Sequence, residues 1–293
     1  MSHPILVTGA TGTVGSELVL ALENRDLTVR AGVHSIIKGD RLRHLNPDLQ
    51  LVEIDYARPA TLHVALTGVD RVFLITPFTQ DQVALARQFI EAAKQAGVQQ
   101  IVRLSAAGAD AEPGIQLGRW HRETEQYLEQ SGLSYTILRP SSFMQNFIHY
   151  NGSTISEEGK FYLPLDEAPV SYVDVRDIAA VAATILTTDP AKHHGQAYTL
   201  TGPEALSGQA IATALTQATK RPVSYIPVSE EAARQAMGQA PDWMTDAMLE
   251  LYSVARAGHA ATLTPTIEQL IGRPPYTFEQ FAQDYRHCFE SAT

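Results

Sequence analysis

Ile5-Leu6-Val7-Thr8-Gly9-Ala10-Thr11-Gly12-Thr13-Val14-Gly15 is the stretch that decides the fold. An apolar run of strand type ends at Thr8-Gly9, and residues 14–23 then read as a helix with Val14, Leu18, Val19 and Leu22 on one face. The glycines punctuate the joint. Gly9 permits a tight turn, Gly12 lets backbone approach a pyrophosphate with no Cβ in the way, and Gly15 allows the helix to pack closely on the sheet. Amides at the helix start then face a diphosphate, helped by the helix dipole. The hydroxyls of Thr11 and Thr13 add donors. A three-glycine pattern alone is weak evidence, because many glycine-rich turns hold nothing.

Context strengthens it. Further strands read at 27–33, 51–54, 71–75, 100–104 and 135–138, with helices at 82–96 and 117–130 stopped by Gly97 and Gly132. Strand and helix alternating at this spacing imply right-handed βαβ crossovers and a parallel sheet covered on both faces. The expected class is α/β: a Rossmann-type doubly wound parallel sheet with a smaller C-terminal substrate lobe. Residues 1–145 would form the dinucleotide-binding domain, with 173–202 (helix 175–187, strand 197–201) returning to it. Residues 146–293 would be mainly the substrate lobe. From 141 to 170, Ser, Asn, Gly and Pro fall between aromatics, and that stretch reads as loop-rich.

Composition narrows the function. The 293 residues are 44% hydrophobic, enough for a sizeable core. Net charge is -10, with 32 acidic against 22 basic side chains and no Lys/Arg run. A protein that tracks nucleic-acid phosphates needs a concentrated basic surface, so no nucleic-acid partner is expected. No apolar run approaches the ~20 residues of a membrane span, and the opening MSHPILVTGA enters a strand directly. The expectation is a cytoplasmic protein with no membrane partner. One cysteine, Cys288, makes neither an internal disulfide nor a multi-cysteine metal site. The ten histidines lack HExxH spacing, and no metal is expected.

The Gly-x-x-Gly-x-x-Gly spacing, the run Gly132-Leu133…Thr136-Ile137-Leu138-Arg139-Pro140…Phe143-Met144-Gln145-Asn146 and the run Val173-Asp174-Val175-Arg176-Asp177-Ile178-Ala179 together resemble the NmrA-like group of atypical short-chain dehydrogenases/reductases. The resemblance covers nearly the whole chain. It implies an NAD(P)-binding Rossmann fold in a family that holds quinone reductases, a triphenylmethane dye reductase and NADP-sensing regulators.

Cofactor choice is read after the second strand, at Gly32-Val33-His34-Ser35-Ile36-Ile37-Lys38. The acid that would bind a ribose 2′-hydroxyl is missing there. His34, Ser35 and Lys38 suit a 2′-phosphate, so NADP(H) is preferred, with NAD(H) possible. Relatives often carry Arg at the His34 position, and histidine supplies only partial charge near neutrality. Lys38 is equally readable as a solvated surface residue. Asp55 matches the family position that contacts adenine; its plain alternative is a turn-forming Asp. Sheet geometry places Thr76, Pro77 and Ser105 on the cofactor cleft.

Standard members of the superfamily carry Tyr and Lys four apart on the helix after strand five, the ammonium lowering the phenol's pKa so that it acts as acid or base. Here that helix reads Leu117-Gly118-Arg119-Trp120-His121. His121 falls at the lysine position and Leu117 at the tyrosine position. Reducing a simple ketone leaves a basic alkoxide that needs an acid. A quinone, a cationic dye or an iminium takes hydride without one. The substrate is therefore expected to be small, planar aromatic or cationic, and electron-poor. His121 is the candidate catalytic residue, hydrogen-bonding the nicotinamide ribose or donating a proton through water, unless it only packs on the sheet. Phe143, Asn146, Phe147, Tyr150 and Tyr172 are candidate pocket walls, or equally core residues of the lobe. Two functions stay open: an NAD(P)H-dependent reductase, and a non-catalytic NADP(H) sensor.

Overall fold

A computed structural model describes residues 4–23, 27–44 and 49–290, with backbone only at Lys38, Arg41 and His44. Its contacts divide the chain into two units, Met1–Pro140 with Ile178–Thr199, and Ser141–Asp177 with Leu200–Thr293.

The first unit is built on apolar strands too short to alternate. β1 (Ile5–Val7) is buried at every residue, as a strand covered on both faces must be. α1 (Thr13–Leu22) leads to β2 (Val29–Val33), then α2 (Ile36–Gly39), β3 (Gln50–Glu53), α3 (Pro59–Leu66), β4 (Arg71–Leu74), α4 (Gln82–Gln95), β5 (Gln100–Leu104), α5 (Gln116–Glu129) and β6 (Ser134–Pro140). α7 (Val175–Thr187) and β10 (Gln196–Leu200) complete it. The seven strands lie in the order β10-β6-β5-β4-β1-β2-β3, and β1 to β6 pair in parallel. The Rossmann-type doubly wound sheet expected from the glycine turn is the one observed. β1 has β2 on one side and β4 on the other. The strand order reverses there, and the opening that a doubly wound sheet offers to ligands lies at the carboxyl end of β1.

Local chemistry sets the helix limits. α3 starts with Pro59 in its first turn, where the missing N–H costs nothing. α4 ends at Ala96 and Gly97, whose φ of +78° is a glycine conformation. Leu62 and Leu66 of α3, Phe89 and Ile90 of α4 and Leu128 of α5 pack with Leu6, Val72, Leu74 and Ile101 of the sheet. Among the described residues, no helix is long and apolar enough to cross a membrane.

The second unit holds β7 (Ser142–Phe143), α6 (Asn146–Glu158), β8 (Lys160–Leu163), β9 (Val170–Val173), β11 (Ala205–Leu206), α8 (Gly208–Thr219), β12 (Ser224–Pro227), α9 (Glu230–Ala236), α10 (Asp242–Arg256), α11 (Thr266–Ile271) and α12 (Phe278–Asp284). Its strands form a sheet β11-β9-β7 and a pair β12-β8. Residues 141–170 are thus more regular than the loop-rich stretch expected. Asn151-Gly152-Ser153-Thr154 are poor helix formers, but burial of Phe147 and Ile155 among Phe161, Tyr172, Phe278 and Phe281 overrides them. Gly152 is buried within this helix, and a Cβ there would make ordinary contact with the Cys288 carbonyl at 3.5 Å. Gly159, at φ +67°, ends it.

Candidate functional site

The opening turn is held from within. Thr8 is buried, and its Oγ1 donates to the Ile75 carbonyl (2.8 Å) while accepting from the Ile75 amide (2.7 Å). This hydroxyl ties the end of β1 to the end of β4, across the place where the strand order reverses. Sequence reading passed over Thr8; its signal was a hydroxyl at the last buried position before the glycines.

Each glycine has its own reason. Gly9 takes a φ of +58°, and a side chain there would press on Ile75 at 3.3 Å. Gly12 is the N-cap of α1 in an ordinary extended conformation, φ −83° and ψ 175°. A Cβ on it would meet one atom within 4 Å, the Gly9 oxygen at 3.2 Å. Gly15 is the tight position: its Cβ would fall 2.2 Å from the Gly9 oxygen and 2.9 Å from the Ala10 Cα. What Gly15 allows is contact between helix and turn, where contact with the sheet was expected.

Gly12 supplies no side chain to cap α1, so no N-cap side chain covers the amides of Val14 and Gly15 that open the helix. Gly9 and Gly12 are exposed, and Thr11 and Thr13 are half-buried. A concave turn of backbone donors and hydroxyls at a helix start fits a diphosphate. Thr76 and Pro77 follow β4, half-buried and exposed respectively, beside Phe78, an exposed aromatic that sequence reading did not single out.

At the ends of β2 and β3, His34 is exposed. The Lys38 side chain lies outside the described residues. Asp55 is engaged locally: Oδ1 accepts the Ala57 amide (3.0 Å) and Oδ2 accepts Arg58 Nε (2.8 Å). That Arg58 bond, then the Ala57 amide, hold the Asp55 carboxyl below its usual pKa.

Behind β5 lies a buried charge network. Glu125 is fully buried. It accepts Ser105 Oγ (2.6 Å), Arg139 Nε (2.9 Å) and Nη2 (2.7 Å), and Arg122 Nη1 (3.0 Å). Burial pushes the Glu125 pKa up, but the bonds from Arg139 and Ser105 outweigh it and hold the carboxyl low. Ser105, expected on the cofactor cleft, is 4% exposed and committed to this network.

Leu117 and His121 stand four apart on α5, as anticipated. The His121 Nδ1 is buried with no protein hydrogen-bond partner among the described residues. Burial first, and then the fully buried Arg103 guanidinium, lower the imidazole pKa to about 3 against the pull of Glu125. The ring is therefore neutral near pH 7. It can donate or accept one hydrogen bond on each nitrogen, and it is no imidazolium acid.

The expected pocket walls belong to the second unit and separate into two groups there. Phe147 and Tyr172 are core residues: the Phe147 ring meets Phe161, Tyr172 and Phe278 at 5.6, 5.3 and 5.3 Å. At 2% and 6% exposure, neither has surface left for a ligand. Phe143 and Asn146 are half-buried, and Tyr150 is exposed. Asp177 is buried at the start of α7, paired with Arg273 (2.7 Å) and accepting the Tyr276 amide (2.8 Å).

Known proteins are similar to this chain in sequence and fold. A model of the NmrA-like family matches residues 1–281. An NAD(P)H azoreductase of Xenophilus azovorans is 43% identical over 98% of this chain and 100% of its own. A (4-alkanoyl-5-oxo-2,5-dihydrofuran-3-yl)methyl phosphate reductase of Streptomyces griseus is 35% identical over 97% and 99%. Among solved structures, the NADPH-dependent quinone oxidoreductase QOR2 of Escherichia coli, complexed with NADPH, superposes with a TM-score of 0.84 at 28% identity, covering 96% and 99%.

Proposed function

The chain belongs to the NmrA-like family, and from that premise we propose that it reduces an electron-poor acceptor, such as an azo, quinone or conjugated unsaturated group, at the expense of NADPH. It is an NAD(P)H-dependent reductase: its 43% identical relative is an NAD(P)H azoreductase by name, and its 35% identical relative is named a reductase.

One observation supports that reading: α5 carries Leu117 and a neutral His121 four apart, at the positions that the resemblance assigns to the phenol and ammonium of short-chain dehydrogenases. Neither side chain delivers a proton from a charged acid near neutrality. Acceptors whose hydride adduct is a stabilised anion, as with a quinone, or that lose a positive charge on reduction need no such acid, and the nitrogen anion left by an azo acceptor takes its proton from water.

The turn from Gly9 to Gly15 binds the diphosphate with backbone amides, and Thr11 and Thr13 add hydroxyls. NAD(P)H, when bound, supplies the hydride. Val14 is buried under the turn and fixes the start of α1. His121 offers one nitrogen as a hydrogen-bond partner for a ribose hydroxyl or the acceptor. Its neutrality avoids placing a second positive charge beside a cationic acceptor. Thr76 and Pro77 border the same carboxyl-end opening, and Phe143, Asn146 and Tyr150 are proposed as contacts for a planar substrate.

The test is a panel of acceptors mixed with protein and NADPH, following nicotinamide absorbance. Azo, quinone and cationic triarylmethane compounds should oxidise the cofactor, and unactivated ketones should not. With His121 neutral throughout, kcat/KM for a non-ionising acceptor should stay flat from pH 6 to 8. Ketone reduction at comparable kcat/KM, or a bell-shaped profile lost in His121→Gln, would show that a protein acid operates.

A further inference from the structure

We propose that Arg58 is the residue that makes this site prefer a dinucleotide bearing a 2′-phosphate. The inference rests on the reading that the opening turn holds NAD(P), and it adds a residue that the resemblance did not supply.

Register brings Arg58 to the place. Val33 pairs with Glu53 in the parallel β2-β3 ladder, and the Ile54 amide donates to the Val33 carbonyl (2.8 Å). His34, the first residue past β2, therefore lies beside Ile54 and Asp55, and the Asp55 carboxyl senses His34 through space. Glu53 shares a face of β3 with Leu51. Leu51 faces α2, since its Cδ1 lies 3.4 Å from where a Cβ of Gly39 would be. So Glu53 points to the side where α2 begins at Ser35 and Ile36.

Arg58 reaches that side. Its Nη2 meets Glu53 Oε1 at 2.5 Å and its Nε meets Asp55 Oδ2 at 2.8 Å. The backbone beneath is pinned, because the Arg58 amide donates to the Asp55 carbonyl (2.9 Å) and the Arg58 carbonyl accepts Thr61 Oγ1 (2.8 Å). The side chain itself is 58% exposed. Exposed ion pairs are weak and readily exchanged, whereas a guanidinium on a phosphate forms charge-assisted, often bidentate bonds.

The local charge shows what is at stake. Glu53 and Asp55 carry two negative charges where a 2′-phosphate would arrive, and bare carboxylates there would repel it and favour a 2′-hydroxyl. Arg58 neutralises part of that charge and keeps further N–H donors for the phosphate. An arginine on the β3-α3 turn thus supplies the fixed cation that His34 does not.

Calorimetric titration of full-length wild type, Arg58→Gln, Arg58→Lys and Glu53→Gln with NADPH and with NADH tests this, with thermal melts as a check on folding. Wild type should favour NADPH. Arg58→Gln should lower the NADPH-to-NADH affinity ratio ten- to a hundred-fold, Arg58→Lys should lower it less, and Glu53→Gln should raise it. A ratio unchanged in Arg58→Gln, or both affinities falling together, overturns the assignment of Arg58 alone. Wild type binding neither nucleotide overturns the underlying cofactor reading instead.

Discussion

Gly15→Ala is expected to destabilise the protein and to abolish tight NADPH binding at the same time. The added Cβ falls 2.2 Å from the Gly9 oxygen, 2.8 Å from the Gly9 carbonyl carbon and 2.9 Å from the Ala10 Cα. All three are backbone atoms, so no side chain can swing aside. Gly9 is itself fixed, by a left-handed φ and by Ile75, which Thr8 holds. The helix must lift or the turn must open. Overpacking of this kind costs about 1–3 kcal/mol, and a displaced turn no longer presents its amides to a diphosphate. Denaturant titration should show the loss of stability, and NADPH affinity should fall at least about a hundred-fold, since loss of two charge-assisted hydrogen bonds exceeds ~2.7 kcal/mol. Normal stability with normal affinity would mean that the turn has room the geometry denies.

Glu125→Ala should be the most destabilising change among the charged residues. It strips Arg139 and Ser105 of their shared acceptor and leaves the Arg103 charge beside it without compensation. Breaking a buried pair from one side costs about 3–5 kcal/mol, a large part of the ~5–15 kcal/mol that holds a typical domain together. Glu125→Gln keeps the shape and one acceptor and should lose less.

The pH dependence carries a sign for each group. The folded Glu125 carboxyl titrates below its unfolded value, so its contribution is complete above the ordinary carboxylate range and disappears as pH falls beneath it. The gap in stability between wild type and Glu125→Gln should narrow there. His121 acts in a higher window. Unfolded imidazole takes a proton near 6.5 and the folded one only near 3, so stability drains away as pH falls from about 6.5, and His121→Gln should remove that slope. Equal slopes in wild type and variants would place these groups in solvent.

The parallel sheet was legible because its signals are local and repeated. β5 at 100–104 and α7 at 175–187 were read from sequence with the bounds they have, the first around the β-branched pair Ile101-Val102, the second as an amphipathic stretch with an acid in its first turn. α6 was not legible, since Asn151, Gly152 and Ser153 argue against a helix, and burial by residues more than a hundred positions away decides the matter. The same long-range burial takes Phe147 and Tyr172 into the core, although their spacing suited a pocket equally well. In the candidate site, the glycine turn was visible but the reason for Gly15 was not, because it depends on where the Gly9 carbonyl points. Arg58 looked like an ordinary surface arginine; only strand register brings it beside His34.

The account depends on the turn after β1 gripping a diphosphate with its backbone, and Gly12 isolates that claim. Its backbone conformation suits alanine, and a Cβ there has one close neighbour. Gly12→Ala should therefore melt somewhat below wild type but well above Gly15→Ala, since only the Gly9 oxygen, 3.2 Å from the new Cβ, must give way, while the methyl stands where the phosphates approach. Titrating NADPH into both proteins should give one-to-one binding in the wild type and at least tenfold weaker binding in the variant. Equal affinity in the two proteins, or no heat from either at millimolar NADPH or NADH, would contradict the account.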